Sequence, residues 1–188
     1  MPEKKWVFDS ATLSNFLLSD SIFILAKRYH KRGIITWQVY DEISTGISEY
    51  PEFKQVDKLI EDKTLKLVAL SRKAYQHFVQ LIGHLGKGEA SCIAFAKEHA
   101  AIVVADDRSA RKQCSMMKIS VTGSVGILKA SALDGHITLT QADKSLRKMI
   151  EAGFYSPVSS IVDDHFSRWP SKSTIISSWT SAISFSCG

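Results

Sequence analysis

Cysteine is scarce in this 188-residue chain: there are three, Cys92, Cys114 and Cys187, with no CxxC pair. An odd, scattered set supports neither a disulfide framework nor a structural zinc site, and it fits a reducing compartment. Four prolines and ten glycines are too few for a linker-rich or fibrous protein. No stretch approaches the ~18 consecutive apolar residues of a membrane span. The N-terminus, with Glu3 and Asp9, lacks the apolar core of a secretory leader. A cytoplasmic protein with no membrane partner is expected. The six histidines lack zinc-type spacing, and no Walker motif is present. Gly83, Gly86 and Gly88 do not follow a strand as a dinucleotide fingerprint must. Charge of one sign is also modest. The 24 Lys+Arg against 19 Asp+Glu leave +5, which admits nucleic acid as a partner without requiring it.

What is present is a globular composition, 45% hydrophobic and 23% charged, at a length suited to one core. Short apolar runs alternate with amphipathic stretches. Strands are expected at 5–8, 33–36, 64–70, 102–105 and 119–121. Helices are expected at 21–29, 38–48, 53–60, 72–82, 88–100, 109–117, 125–133 and 141–152. Strands separated by helices of this length pair in parallel through right-handed crossovers. The expected fold is therefore α/β, a three-layer α/β/α sandwich with a mainly parallel sheet over residues 1–157. Residues 158–188 read as a Ser-rich tail in which Ile183, Phe185 and Cys187 alternate as in a weak strand.

Acids stand where apolar runs end. Asp9 follows Trp6-Val7-Phe8, and Asp106 and Asp107 follow Ile102-Val103-Val104-Ala105. Open parallel sheets gather ligands at their strands' carboxyl ends. An Asp after a strand also caps helices, but capping needs only one of the Asp106-Asp107 pair. On a helix, Glu89 falls in the stripe of Ile93, Ala96 and Ala100, with Ser91 and Glu98 on the wet face. A core-facing carboxylate costs several kcal/mol uncompensated, whereas a first-turn position gains only ~0.3–1 kcal/mol from the helix dipole. A cation or buried donor is therefore wanted beside Glu89. Glu42 flanks the Val39/Ile43/Ile47 stripe, whereas Asp41 lies on nearly the opposite side. Carboxylates sharing a pocket repel and raise one another's pKa unless cations separate them. All-oxygen donors without thiolate or imidazole suit Mg²⁺ or Mn²⁺, and such ions can activate water against a phosphodiester.

Val7-Phe8-Asp9-Ser10 with Leu13, then Val39-Tyr40-Asp41-Glu42-Ile43, resemble the opening motifs of PIN-domain ribonucleases. Gly88-Glu89-Ala90-Ser91, Val104 to Arg111 as VADDRSAR, and Val121-Thr122-Gly123-Ser124-Val125-Gly126 resemble the later ones. Together they are similar to a prokaryotic toxin-type subgroup with a GEA…DDxxAR…TG pattern. The resemblance implies a metal-dependent endonuclease acting on RNA, often the toxin of a toxin–antitoxin pair, with an antitoxin partner and frequent homodimers. It implies Asp9, Glu42, Glu89 and Asp107 as the catalytic acids, and Asp9, Glu89, Asp106 and Asp107 as ligands of Mg²⁺ or Mn²⁺. The family's Thr-x-Asp pattern would put Thr at Ala105 and select Asp107. Ser10, Arg108, Arg111, Thr122 and Ser124 would meet substrate.

Lys27 to Arg32 is the densest basic cluster, readable as an RNA contact or as a solvated helix end. Two other readings stand beside the nuclease. One is a catalytically silent module whose acids hold a partner's Arg or Lys. The other is a haloacid-dehalogenase-like phosphatase, which needs a second Asp two residues after the first, where this chain has Ala11.

Overall fold

The computed structural model describes residues 4–162. Five strands, β1 (Trp6–Phe8), β2 (Gly33–Thr36), β3 (Leu65–Val68), β4 (Ile102–Val104) and β5 (Val121–Thr122), form one sheet. Their order is β3-β2-β1-β4-β5 and every pairing is parallel. β1, β2 and β4 are buried along their whole length. That is why they read as unbroken apolar runs and not as alternating ones.

The helices are α1 (Ser10–Leu18), α2 (Ile22–Tyr29), α3 (Trp37–Thr45), α4 (Gln55–Glu61), α5 (Arg72–Leu81), α6 (Lys87–His99), α7 (Arg108–Met116), α8 (Ser124–Leu133) and α9 (Leu139–Glu151). α8 packs with α1, α2 and α9 in one layer; α6 packs with α5 and α7 in the other and crosses β1, β2 and β4. The result is the expected α/β/α sandwich. Among the described residues no helix is long and apolar enough to cross a membrane.

The topology makes the site. From β1 the chain steps outward to β2 and β3, then returns to β4 on the other side of β1. The direction of winding thus reverses between β1 and β4, the kind of place where parallel sheets open a crevice at their carboxyl edge. Phe8 pairs with Val104, and the Asp9 N–H donates to the Val104 carbonyl at 3.0 Å. Asp9 and Asp106 therefore leave the sheet side by side.

Four local readings are corrected. Residues 10–18 form α1, a helix not expected from the sequence, burying Thr12, Leu13, Phe16 and Leu17 at helical spacing. The last strand is Val121–Thr122 and not 119–121, because the Ile119 N–H is spent on the Cys114 carbonyl at the end of α7. The helix expected over 38–48 is α3 from Trp37 to Thr45, followed by a separate 3₁₀ turn at Gly46–Ser48. Ser91 is not on a wet face. α6 lies between the sheet and its neighbouring helices, so every residue from Ala90 to Ala96 is buried.

Packing continues past Pro157. Ile161 is fully buried and its N–H donates to Asp143 Oδ1 at 2.8 Å. The Ser-rich stretch with Ile183, Phe185 and Cys187 lies outside the described residues.

Candidate active site

Asp9 sits at the end of β1 with only 1% of its surface exposed. Its Oδ2 is buried without a hydrogen-bond partner. Burial first, then the negative charges of Glu89 and Glu42, push its pKa up to about 7; the Ser10 N–H offsets part of this, and Asp106 adds to it. Glu89 is raised as well, by burial first, against the Gly86 N–H, and further by Asp107 and Glu42. Asp9, Glu42 and Glu89 are thus mutually repelling, with Asp106 flanking Asp9 and Asp107 flanking Glu89.

Asp9 Oδ1 accepts a long hydrogen bond from Ser10 Oγ at 3.5 Å, and the other acids lean on closer donors. Glu42, exposed on α3, accepts from Ser10 Oγ at 2.6 Å and from the Gly88 N–H at 2.7 Å. A Cβ at Gly88 would stand 2.3 Å from Glu42 Oε2, so only glycine lets the carboxylate reach the helix. Glu89 turns back to the Gly86 N–H at 3.1 Å. It is half-buried at the first turn of α6 and does not point into the core.

The paired aspartates divide their tasks. Asp107 caps α7, its Oδ1 accepting from the N–H groups of Ser109 and Ala110 at 2.6 and 2.9 Å. Asp106 is turned toward α1 and α8. Its Oδ1 takes the Ser124 N–H at 2.9 Å, and its Oδ2 takes Ser124 Oγ at 2.5 Å, Asn15 Nδ2 at 3.1 Å and Thr12 Oγ1 at 3.3 Å. A Cβ at Gly123 would lie 2.4 Å from Asp106 Oδ1, so that glycine too clears room for an acid.

Among the described residues, no cation forms an ion pair with any of these five acids. No three acidic, His or Cys side chains there already meet around a point where a metal could sit. The convergence expected from sequence is therefore electrostatic proximity, with the side-chain oxygens drawn aside to N–H and O–H donors. The donor chemistry still fits a hard divalent cation: every group is a carboxylate or hydroxyl oxygen, and one buried Asp9 oxygen lacks a partner.

The remaining sequence candidates scatter around this centre. Ser10 bonds Glu42 directly. Ser124 holds Asp106. Arg111 donates from Nη1 to the Ala105 carbonyl at 3.1 Å, beside the same turn, and Arg108 is exposed at the start of α7. Thr122, at the end of β5, lies against the first turn of α8, where a Cβ on Gly126 would meet its Oγ1 at 2.3 Å. The Lys27 to Arg32 cluster is engaged elsewhere. It ends α2 just before the amino end of β2, opposite the acids, with Arg28 paired to Asp134 at 2.8 Å and Lys27 donating to the His136 carbonyl.

Sequence reasoning missed Thr12 and Asn15, which orient Asp106, and the Thr36–Ser91 hydroxyl pair at 2.7 Å, which ties β2 to α6. The available signal was polar side chains three residues apart in α1, beside the apolar Leu13, Phe16 and Leu17.

No curated protein matches this chain. A family model described as DUF3368, PIN domain, matches residues 5–163, which include every acid of the site and the whole described sheet. On that match, and on an all-parallel sheet whose winding reverses beside Asp9, the chain belongs to the PIN-domain family.

Proposed function

We propose that this domain is a Mg²⁺- or Mn²⁺-dependent endoribonuclease acting as the toxin of a toxin–antitoxin pair. PIN domains are generally nucleases, which sets the reaction class. The single observation that carries the reading is Asp9: a buried carboxylate with an orphaned oxygen, crowded by Glu42 and Glu89 and, among the described residues, paired with no cation. Such an arrangement destabilises the fold unless a ligand uses it.

Asp9, Glu89 and Asp107, with Asp106 at the flank, would hold the metal. Bound there, it would polarise the scissile phosphoryl group and favour ionisation of water. Glu42 takes the proton of the attacking water, held in place for this by Ser10 and Gly88. The water oxygen bonds to phosphorus as the bond to the departing ribose oxygen breaks, and that oxygen takes a proton from solvent. Arg108 and Arg111, beside the acids, grip the RNA phosphates. Ser124 and Asn15 keep Asp106 oriented.

The test is cleavage of single-stranded RNA by the purified chain with Mn²⁺ or Mg²⁺. Activity should vanish with chelator and in Asp9→Asn. A silent binding module is the second reading, favoured by the donors that already occupy both oxygens of Asp106; equal failure of wild type and Asp9→Asn to cut would establish it. The phosphatase alternative is set aside by the family match. A cytoplasmic location, an antitoxin protein and a homodimer belong to the toxin reading. Co-expression with the product of the neighbouring reading frame tests the antitoxin, and sedimentation tests the dimer.

A further inference from the structure

Trp37 opens α3 with 52% of its surface exposed. Indole is the largest side chain, and leaving half of it in water forfeits burial that the fold could use. Its position is specific. Continuing the β1–β2 register from Val7 and Ile34 sets Thr36 level with Asp9 on the neighbouring strand, about 4.8 Å away. Trp37 follows directly, at the carboxyl edge that carries the acids. It shares α3 with Glu42, about 7.5 Å further along the axis. Thr36 is also tied to Ser91, whose hydroxyl donates to the Gly88 carbonyl at 2.7 Å, so the start of α3 is fastened to the turn that bears Glu89.

The ring is braced. Tyr40 meets Trp37 edge-on at 5.8 Å and 86°, and the Tyr40 hydroxyl donates to Asp57 Oδ1 at 2.9 Å. A flat, half-exposed, braced indole at the sheet edge that carries the acids is a surface on which a nucleobase can stack. Such stacking tolerates any base and requires that the base be unpaired.

We infer that Trp37 is a stacking platform for an unpaired base of the RNA, fixing the strand's position relative to Asp9, Glu42 and Glu89. The inference rests on the ribonuclease reading for its substrate. Its test is chosen to be independent of cleavage: equilibrium binding of the full chain, in chelator, to a fluorescein-labelled unstructured single-stranded RNA and to an all-abasic oligoribonucleotide of equal length.

Wild type should bind the base-bearing strand more tightly, by about 5- to 150-fold. Trp37→Ala should lose that preference while binding the abasic strand as wild type does, and Trp37→Tyr should keep most of it. An unchanged preference in Trp37→Ala overturns the platform, as does an equal loss of affinity for both strands. If the preference depends on Trp37 but wild type with Mn²⁺ never cuts RNA, the platform stands and the nuclease reading falls.

Discussion

The Cys92 thiol donates to the carbonyl of Phe8 at 3.3 Å, across the face where α6 crosses the end of β1. Phe8 precedes Asp9, and Cys92 lies three residues after Glu89 on the same helix. This contact therefore ties the strand that ends in Asp9 to the helix of Glu89, the charge that raises the Asp9 pKa most. Burial pushes the Cys92 thiol well up from its usual range, and Asp9 adds to the effect. Its role is packing, not reactivity. Alkylation mapped by mass spectrometry should leave Cys92 unmodified in the folded protein and modify it in denaturant; labelling at native pH without unfolding would contradict its place under Asp9.

Asp9 should make the protein less stable as pH rises. Its folded pKa of about 7 lies above the ordinary 3.8. Between those values the folded state therefore holds a proton that the unfolded chain has released. Stability contributed by the protonated carboxyl is full below pH 4 and is lost as pH climbs through 7, by roughly 4 kcal/mol for this group alone. Asp9→Asn should flatten that slope in urea melts between pH 5 and 8, melt higher at pH 8 in chelator, and lose RNA cleavage. A steeper slope in the variant would refute the assignment.

Divalent cations should raise the melting temperature more at pH 8 than at pH 5, because the ion competes with the proton for the same carboxylate. Differential scanning fluorimetry with Mn²⁺ at both pH values reads this directly. An equal rise at both, or one retained in Asp9→Asn, would move the metal away from Asp9.

Gly88→Ala separates stability from activity. Alanine in a helix gains about 1 kcal/mol over glycine, and the group it would strike is the movable end of Glu42, 2.3 Å away. Thermal stability should stay within about 1 kcal/mol of wild type. Displacing Glu42 should lower cleavage by about 10²-fold, the scale of a misplaced catalytic group. Gly83→Ala meets nothing within 4 Å and serves as the control.

Asn15→Ala removes one of the donors to Asp106 Oδ2 and a contact to Ser124 Oγ at 3.1 Å. A hydrogen bond to a charged group contributes about 1.5–3 kcal/mol. Denaturant midpoints should fall accordingly, with Asn15→Asp worse because it sets a third carboxylate beside Asp106 and Asp9. Wild-type stability in Asn15→Asp would show that Asp106 does not depend on this support.

Much of the fold was legible because its signals are local. Parallel strands buried on both faces must be short apolar runs, and β1, β2 and β4 were visible as such. An acid after such a run is visible in one dimension, so Asp9, Asp106 and Asp107 could be placed at the sheet's edge before any strand order was known. Glu42 could be separated from Asp41 by helical angle alone.

α1 was missed because its apolar face is short and starts directly after a strand, so that periodicity over residues 5–18 blends two periods. Ser91 was misread because a single stripe presumes one buried face, whereas α6 is enclosed by helices on several sides. The Ser124, Thr12 and Asn15 donors to Asp106 come from segments up to 109 residues apart in their mutual contacts.

The amino-acid order by itself therefore determined most of the elements, the acids' positions near strand and helix ends, and the oxygen-only character of the candidate donor groups, since each depends on neighbours along the chain. Tertiary structure alone decided that winding reverses between β1 and β4, that Asp106 turns to Ser124 while Asp107 caps α7, and that Asp9 is left with an unpartnered oxygen. Charge repulsion and desolvation act through space, so their sum at Asp9 has no value until four separate stretches of backbone, those bearing Asp9, Glu42, Glu89 and Asp106, have been brought to one edge.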